Sequence, residues 1–152
     1  MILLLFAFLA VSCEGGFGWL KDEVPMTEYY KAARTAFKLS TGVELPELEG
    51  VDLKDEPAGT YDTGIAILND VIKSGGSHDY AFEFTSGVTY DVYSQSLVAI
   101  AKVFGQEYPG FPKTEDNYVF NCWCKDDLSV FISYKKDNTV LSFMVFEGHP
   151  TT

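Results

Sequence analysis

The chain has 152 residues, of which 47% are hydrophobic, 15% aromatic and 22% charged, enough for one compact domain with a terminal appendage. That size excludes a multidomain enzyme, and twelve Phe, nine Tyr and two Trp exclude wholesale disorder. Twenty-two acidic against eleven basic residues give a formal charge of −11, which argues against nucleic-acid phosphates or an anionic lipid surface as partners and would attract a basic one, although plain solubility is the favoured account of the charge.

Residues 1–13 read MILLLFAFLAVSC, with an uncharged apolar run from Ile2 to Val11. This is the length of an export signal core and too short for a permanent membrane span, which needs about 20 apolar residues. Ala10-Val11-Ser12-Cys13 resembles the lipobox of bacterial lipoproteins, departing from it in having Leu9 one step early and no basic residue before the run. The resemblance implies cleavage before Cys13, acylation of its sulfur and a location in the cell envelope, periplasmic or at the surface. Free secretion after ordinary signal cleavage is the first alternative, and an N-terminal helix buried in the fold the last. Residues 14–25, beginning Glu14-Gly15-Gly16, read as a tether, residues 26–148 as a single α+β domain and 149–152 as a tail.

The first helix is expected over about 27–40, opened by Thr27 and closed before Gly42, with Tyr30, Ala33 and Phe37 on one face. The segment Gly42–Gly50 contains Pro46 and is expected to run extended along the surface. Negative charge concentrates between Glu44 and Asp70, where Glu44, Glu47, Glu49 and Asp52 are candidate interaction residues. The apolar run Ile65–Ile72 fits a short helix or a buried strand, and its β-branched residues with flanking glycines favour a strand over Thr63–Leu68. A second strand is expected at Tyr80–Thr85. The clearest helix spans about 89–104, capped by Thr89, striped by Tyr93, Leu97, Ile100 and Phe104, and stopped by Gly105.

An antiparallel sheet ending in a three-stranded C-terminal meander follows: Tyr118–Lys125, Leu128–Tyr134 and Thr139–Phe146. Alternation places Leu128, Val130, Ile132 and Tyr134, with Leu141, Phe143 and Val145, toward the core. Phe120, Cys122 and Cys124 are expected to join them. Val119, Trp123, Phe131, Met144 and Phe146 then fall on the opposite face, with Trp123 and Phe131 as candidate interaction residues. The first helix or the Pro46 segment is expected to cover that face.

The sequence carries no nucleotide loop, zinc-protease helix, nucleophile elbow or regular calcium loop. His78 in a turn and His149 near the terminus are not held where a general base must be. The reading is therefore non-enzymatic, with no cofactor and no resident metal. Acidic groups at Asp52, Asp55, Glu56 and Asp62 read as solvated charge. Three cysteines leave Cys122 and Cys124 as a pair if Cys13 carries lipid. Two buried thiols are the plain expectation, and a reducible Cys-x-Cys redox pair the sharper one.

Thr41-Gly42-Val43-Glu44-Leu45-Pro46, the strand and helix that end at Gly105, Tyr108-Pro109-Gly110-Phe111 and the Tyr-rich meander together resemble small bacterial lipoproteins of uncharacterised function. The resemblance covers about two thirds of the chain at the level of pattern. It implies an envelope-anchored α+β domain with no enzymatic activity and no functional residues to carry over; the leading expectation is a domain that binds an unknown protein or small molecule in the envelope. The longer connection before Pro109 and the Cys122-Trp123-Cys124 run depart from the pattern. The alternative from another class is an acidic inhibitor or immunity-type protein that neutralises a basic enzyme.

Overall fold

The computed structural model describes residues 26–48, 58–77, 79–85 and 87–150. The export segment, Cys13, the tether, Glu49, Asp52, Asp55, Glu56 and His78 lie outside the described residues.

Helix α1 spans Met26–Thr41. It buries Tyr29, Tyr30, Ala33, Ala36 and Phe37, whose spacing of three and four residues makes one continuous stripe. Gly42 ends it with φ 74°, its N–H donating to the Lys38 carbonyl at 2.9 Å, the left-handed stop expected from the sequence. Residues 43–48 then follow outside any helix or strand, and not simply along the surface as expected. They are sewn down: Val43 and Leu45 are buried, Arg34 Nε donates to the Leu45 carbonyl at 3.0 Å, and the Tyr30 hydroxyl donates to the carbonyl of Pro46.

Helix α2 covers Ala58–Lys73, so the strand expected at Thr63–Leu68 is not formed. Leu68 and Val71 are buried and Ile65 and Ile72 partly so, while Ile67 is exposed, a spacing of three, four and seven that a strand cannot satisfy. The glycines after the run punctuate a helix and not a strand. Gly75 donates to the Ile72 carbonyl and Gly76 to that of Val71, the paired bonds of a Schellman motif, with both glycines at positive φ.

Strand β1 (Tyr80–Phe84) follows, then helix α3 (Tyr90–Phe104), with the Thr89 hydroxyl accepting from the Val92 N–H at 3.2 Å and Gly105 as C-cap. The remaining strands are β2 (Lys113–Glu115), β3 (Tyr118–Lys125), β4 (Leu128–Lys135) and β5 (Leu141–Glu147). All pairings are antiparallel, in the order β1-β5-β4-β3-β2, so the fold is α+β with the expected meander at its centre. Strand β2 is an addition to the expected set, because Lys113-Thr114-Glu115 has no apolar alternation to betray it.

The helices lie on one face of the sheet. Phe37 of α1 meets Phe82 and Phe143 edge-on at 5.9 and 5.5 Å, and Tyr30 meets Phe84 at 5.0 Å. On the other half of the same face Tyr93 of α3 stacks on Tyr134 at 4.3 Å. Helix α2 packs against α1 and also touches β1, close enough to α1 that a Cβ at Gly64 would lie 2.7 Å from the Tyr29 ring.

The facing of β3 differs from expectation. Two residues, Asp126 and Asp127, close the β3–β4 hairpin, so Lys125 pairs with Leu128 and, counting back, Trp123 with Val130, Asn121 with Ile132 and Val119 with Tyr134. Trp123 is therefore a core residue, 3% exposed, and not an interaction residue. Phe120, Cys122 and Cys124 lie on the outer face with Phe131, Met144 and Phe146. Since side chains alternate, a one-residue error in facing moves the whole strand's set across the sheet.

Candidate functional site

The outer face of β3, β4 and β5 carries rows fixed by register. Cys122 pairs with Phe131 and Phe131 with Met144, Cys124 with Ser129 and Ser129 with Phe146, and Phe120 with Ser133. Neither α1 nor residues 43–48 cover this face, contrary to expectation. Its partial roof is Phe111 of the connection after α3, which meets Phe131 edge-on at 5.8 Å, while the Tyr108 N–H donates to the Cys122 carbonyl at 2.7 Å along the edge of β3. The end of the chain closes one side. Gly148 N–H donates to the Asp127 carbonyl, the Ser129 hydroxyl donates to the Gly148 carbonyl, and the ring of His149 lies 6.3 Å from that of Tyr108. Beyond this roof the face is open among the described residues. Met144 is 46% exposed, with Phe131 and Phe146 half-buried beside it.

The roof is anchored from the core side by a polar chain. The Tyr93 hydroxyl donates to Asn121 Oδ1 at 2.5 Å, and Asn121 Nδ2 donates to Glu107 Oε1 at 2.6 Å. Asn121 is buried, so each partner satisfies a group whose isolation would be costly. Nothing in the sequence pattern alone points to this cluster, because it depends on the corrected facing of β3.

Both thiols are free. Cys122 is fully buried; burial and then the neighbouring Cys124 push it up to about 12, so it is a neutral thiol at physiological pH and a poor nucleophile. Cys124 is half-buried, its Sγ 3.1 Å from Ser129 Oγ. The Ser129 proton goes to Gly148, which leaves the Cys124 S–H as donor in that contact.

Of the acidic candidates, Glu44 and Glu47 are within the described residues, and both face cations of α1: Glu44 with Lys38 at 3.2 Å and Glu47 with Arg34 at 3.2 Å. Part of the expected negative surface is thus neutralised locally. A further acidic place is a cleft of about 510 Å³ lined by Ile67, Asp70, Val71, Ser77, Asp79 and Glu147, where Asp70 also has a cation near it, Lys73 at 3.7 Å. Asp79 Oδ1 accepts from the Glu147 backbone N–H at 2.9 Å. No group of three or more His, Cys, Asp or Glu converges as a metal cluster among the described residues. None of the described helices is long and apolar enough to cross a membrane.

The tyrosines set an alkaline limit. Burial pushes Tyr30 and Tyr93 up to about 12, and Tyr80 higher still. An unfolded tyrosine titrates near 10, so above that pH the unfolded chain holds fewer protons than the fold. The stabilisation from keeping these phenols neutral is complete below about pH 10 and is lost as pH rises toward about 12. Alkaline titration is expected to show a cooperative burst of phenolate absorbance coincident with loss of the circular-dichroism signal. Ionisation of all nine tyrosines while the fold persists would contradict the burial of these rings.

Comparison with family models, curated proteins and solved structures finds no match to this chain.

Proposed function

We propose that the protein is a non-enzymatic binding domain of the bacterial cell envelope, exported by its N-terminal segment, tethered through acylated Cys13, and recognising its ligand with the outer face of the sheet. The observation that carries this reading is the exposure of Met144 beside Phe131 and Phe146 in the interior of a five-stranded sheet whose helices occupy the opposite face. Clustered apolar side chains left to solvent at such a position serve binding more readily than stability. Met supplies an adaptable, polarizable contact there.

A photo-crosslinking side chain at Met144, in protein mixed with bacterial envelope fractions, is expected to give a discrete adduct that Phe131→Ser diminishes. The same group at Val98, exposed on α3, is expected to give none. Equal labelling from both positions would remove the outer face as the binding surface. For the anchor, intact mass is expected to show an acylated chain beginning at Cys13, abolished by Cys13→Ala.

A second reading, an acidic domain neutralising a basic protein, draws on the cleft around Asp70, Asp79 and Glu147. It requires a complex whose association weakens with salt and with Asp70→Lys. A complex indifferent to both would dismiss it.

A further inference from the structure

Cys122 and Cys124 stand two residues apart on one face of β3, both free, in a place where a disulfide between them is geometrically disfavoured. Two residues of strand advance roughly 6.4–6.8 Å, and side chains on one face leave in parallel. Their Cβ atoms therefore stand about that far apart, against the ~3.8 Å a disulfide wants. The two sulfurs can converge on an atom between them far more easily than on each other. A thiolate-bound metal of this size sits ~2.3 Å from each sulfur, so a linear S–metal–S unit spans about 4.6 Å, a gap that two parallel cysteine side chains bridge by small rotations.

We infer that Cys122 and Cys124 form a two-thiolate site for a soft monovalent d10 cation, of which Cu(I) is the biological representative and Ag(I) the redox-inert analogue. The surroundings select for such an ion. Zinc wants four ligands, and hard cations want several oxygens, yet no third His, Cys, Asp or Glu converges here among the described residues. Soft thiolates favour Cu(I), whose linear coordination is complete with two. The lining is mixed: Phe131 pairs with Cys122 and Phe111 meets Phe131 edge-on, while Ser129 Oγ lies 3.1 Å from Cys124 Sγ. Half-buried Cys124 is the side of approach, and buried Cys122 is the second, shielded ligand.

Binding is a ligand exchange with no change of oxidation state. One cation and two thiols give a bis-thiolate complex of charge −1 and two released protons. The Cys124 S–H contact with Ser129 is exchanged for the metal bond.

The test uses the full chain carrying Cys13→Ser, which leaves Cys122 and Cys124 as its two remaining thiols. Cu(I), kept reduced with ascorbate and buffered by a colorimetric Cu(I) chelator, is the probe, with Ag(I) followed in parallel by native mass spectrometry. The expected result is one metal per chain, with Cys122→Ser and Cys124→Ser each weakening binding by more than the roughly 10–100-fold that loss of an outer-sphere partner costs. Zn(II) is expected to compete poorly. Since Cys122→Ser alters a buried place, half-buried Cys124→Ser is the deciding variant, with circular dichroism verifying its fold. Binding that survives Cys124→Ser, Zn(II) binding as tightly as Cu(I), or an intramolecular disulfide formed in air by a chain that takes no metal would each overturn the site.

Discussion

Phe37→Ala is expected to destabilise the domain by about 3–5 kcal/mol, the usual cost of truncating a buried phenylalanine and leaving a cavity. Phe37 is fully buried, and its ring is the contact by which α1 reaches both β1 and β5 through Phe82 and Phe143. Domains of this size hold about 5–15 kcal/mol in total, so the variant retains only part of its margin. Its urea midpoint and its melting temperature are expected to fall together, the latter by about 10 °C. Leu39→Ala, two residues along the same helix but 49% exposed, is expected to stay within about 0.5 kcal/mol of the parent. Similar losses from both variants would mean that α1 is not seated on the sheet through Phe37.

Gly76→Ala is the second large effect, arising from backbone geometry and not from lost contacts. Gly76 has φ 92°, and an added Cβ would lie 2.7 Å from the Ser40 nitrogen and 2.8 Å from the Leu39 carbonyl carbon. Both are backbone atoms of α1, so they cannot step aside as a side chain would. Left-handed strain of about 1–2 kcal/mol adds to overpacking of about 1–3 kcal/mol. Gly75→Ala is the internal control: φ is 72° but a Cβ there meets nothing within 4 Å, so the conformational cost alone is expected. Chemical denaturation of the pair separates the two contributions. Equal losses at both positions would show that the α1–α2 junction is looser than the distances imply.

The legible parts of the sequence are those with two independent signals agreeing. Helix α3 combines an apolar stripe with Thr89 at one end and Gly105 at the other, and it forms with those caps. The meander combines alternation with short polar turns. Where one signal stands alone, the sequence misleads. The run Ile65–Ile72 is apolar in both periods, and its β-branched content points to a strand; the deciding fact is that Leu68 and Val71 are both buried while Ile67 is exposed, which is a tertiary requirement. Strand β3 is apolar on both faces, so hydrophobicity does not say which side is inner. The two-residue turn at Asp126-Asp127 does, because it makes Lys125 the partner of Leu128 and leaves no freedom for Trp123. The candidate site is half legible for the same reason: Phe131, Met144 and Phe146 fall on the outer face as their alternation requires, whereas Trp123 and the two thiols exchange sides. The covering connection through Tyr108 and Phe111 is invisible in the sequence, since nothing local in an irregular segment encodes what it lies upon.

The position of β1 also sets the order in which the chain can become a protein. Its strand partner is β5, about sixty residues later, and the aromatic contacts of Phe82 with Phe143 span the same interval. Until β5 is made, β1 has no strand to pair with and the aromatic face of the sheet cannot close. Contacts of such long separation fold slowly, because the loop must be closed before they repay the entropy. On the export proposed above, a chain passing a secretion channel N-terminus first would lack this pairing for most of its passage, and its native state would assemble on the far side.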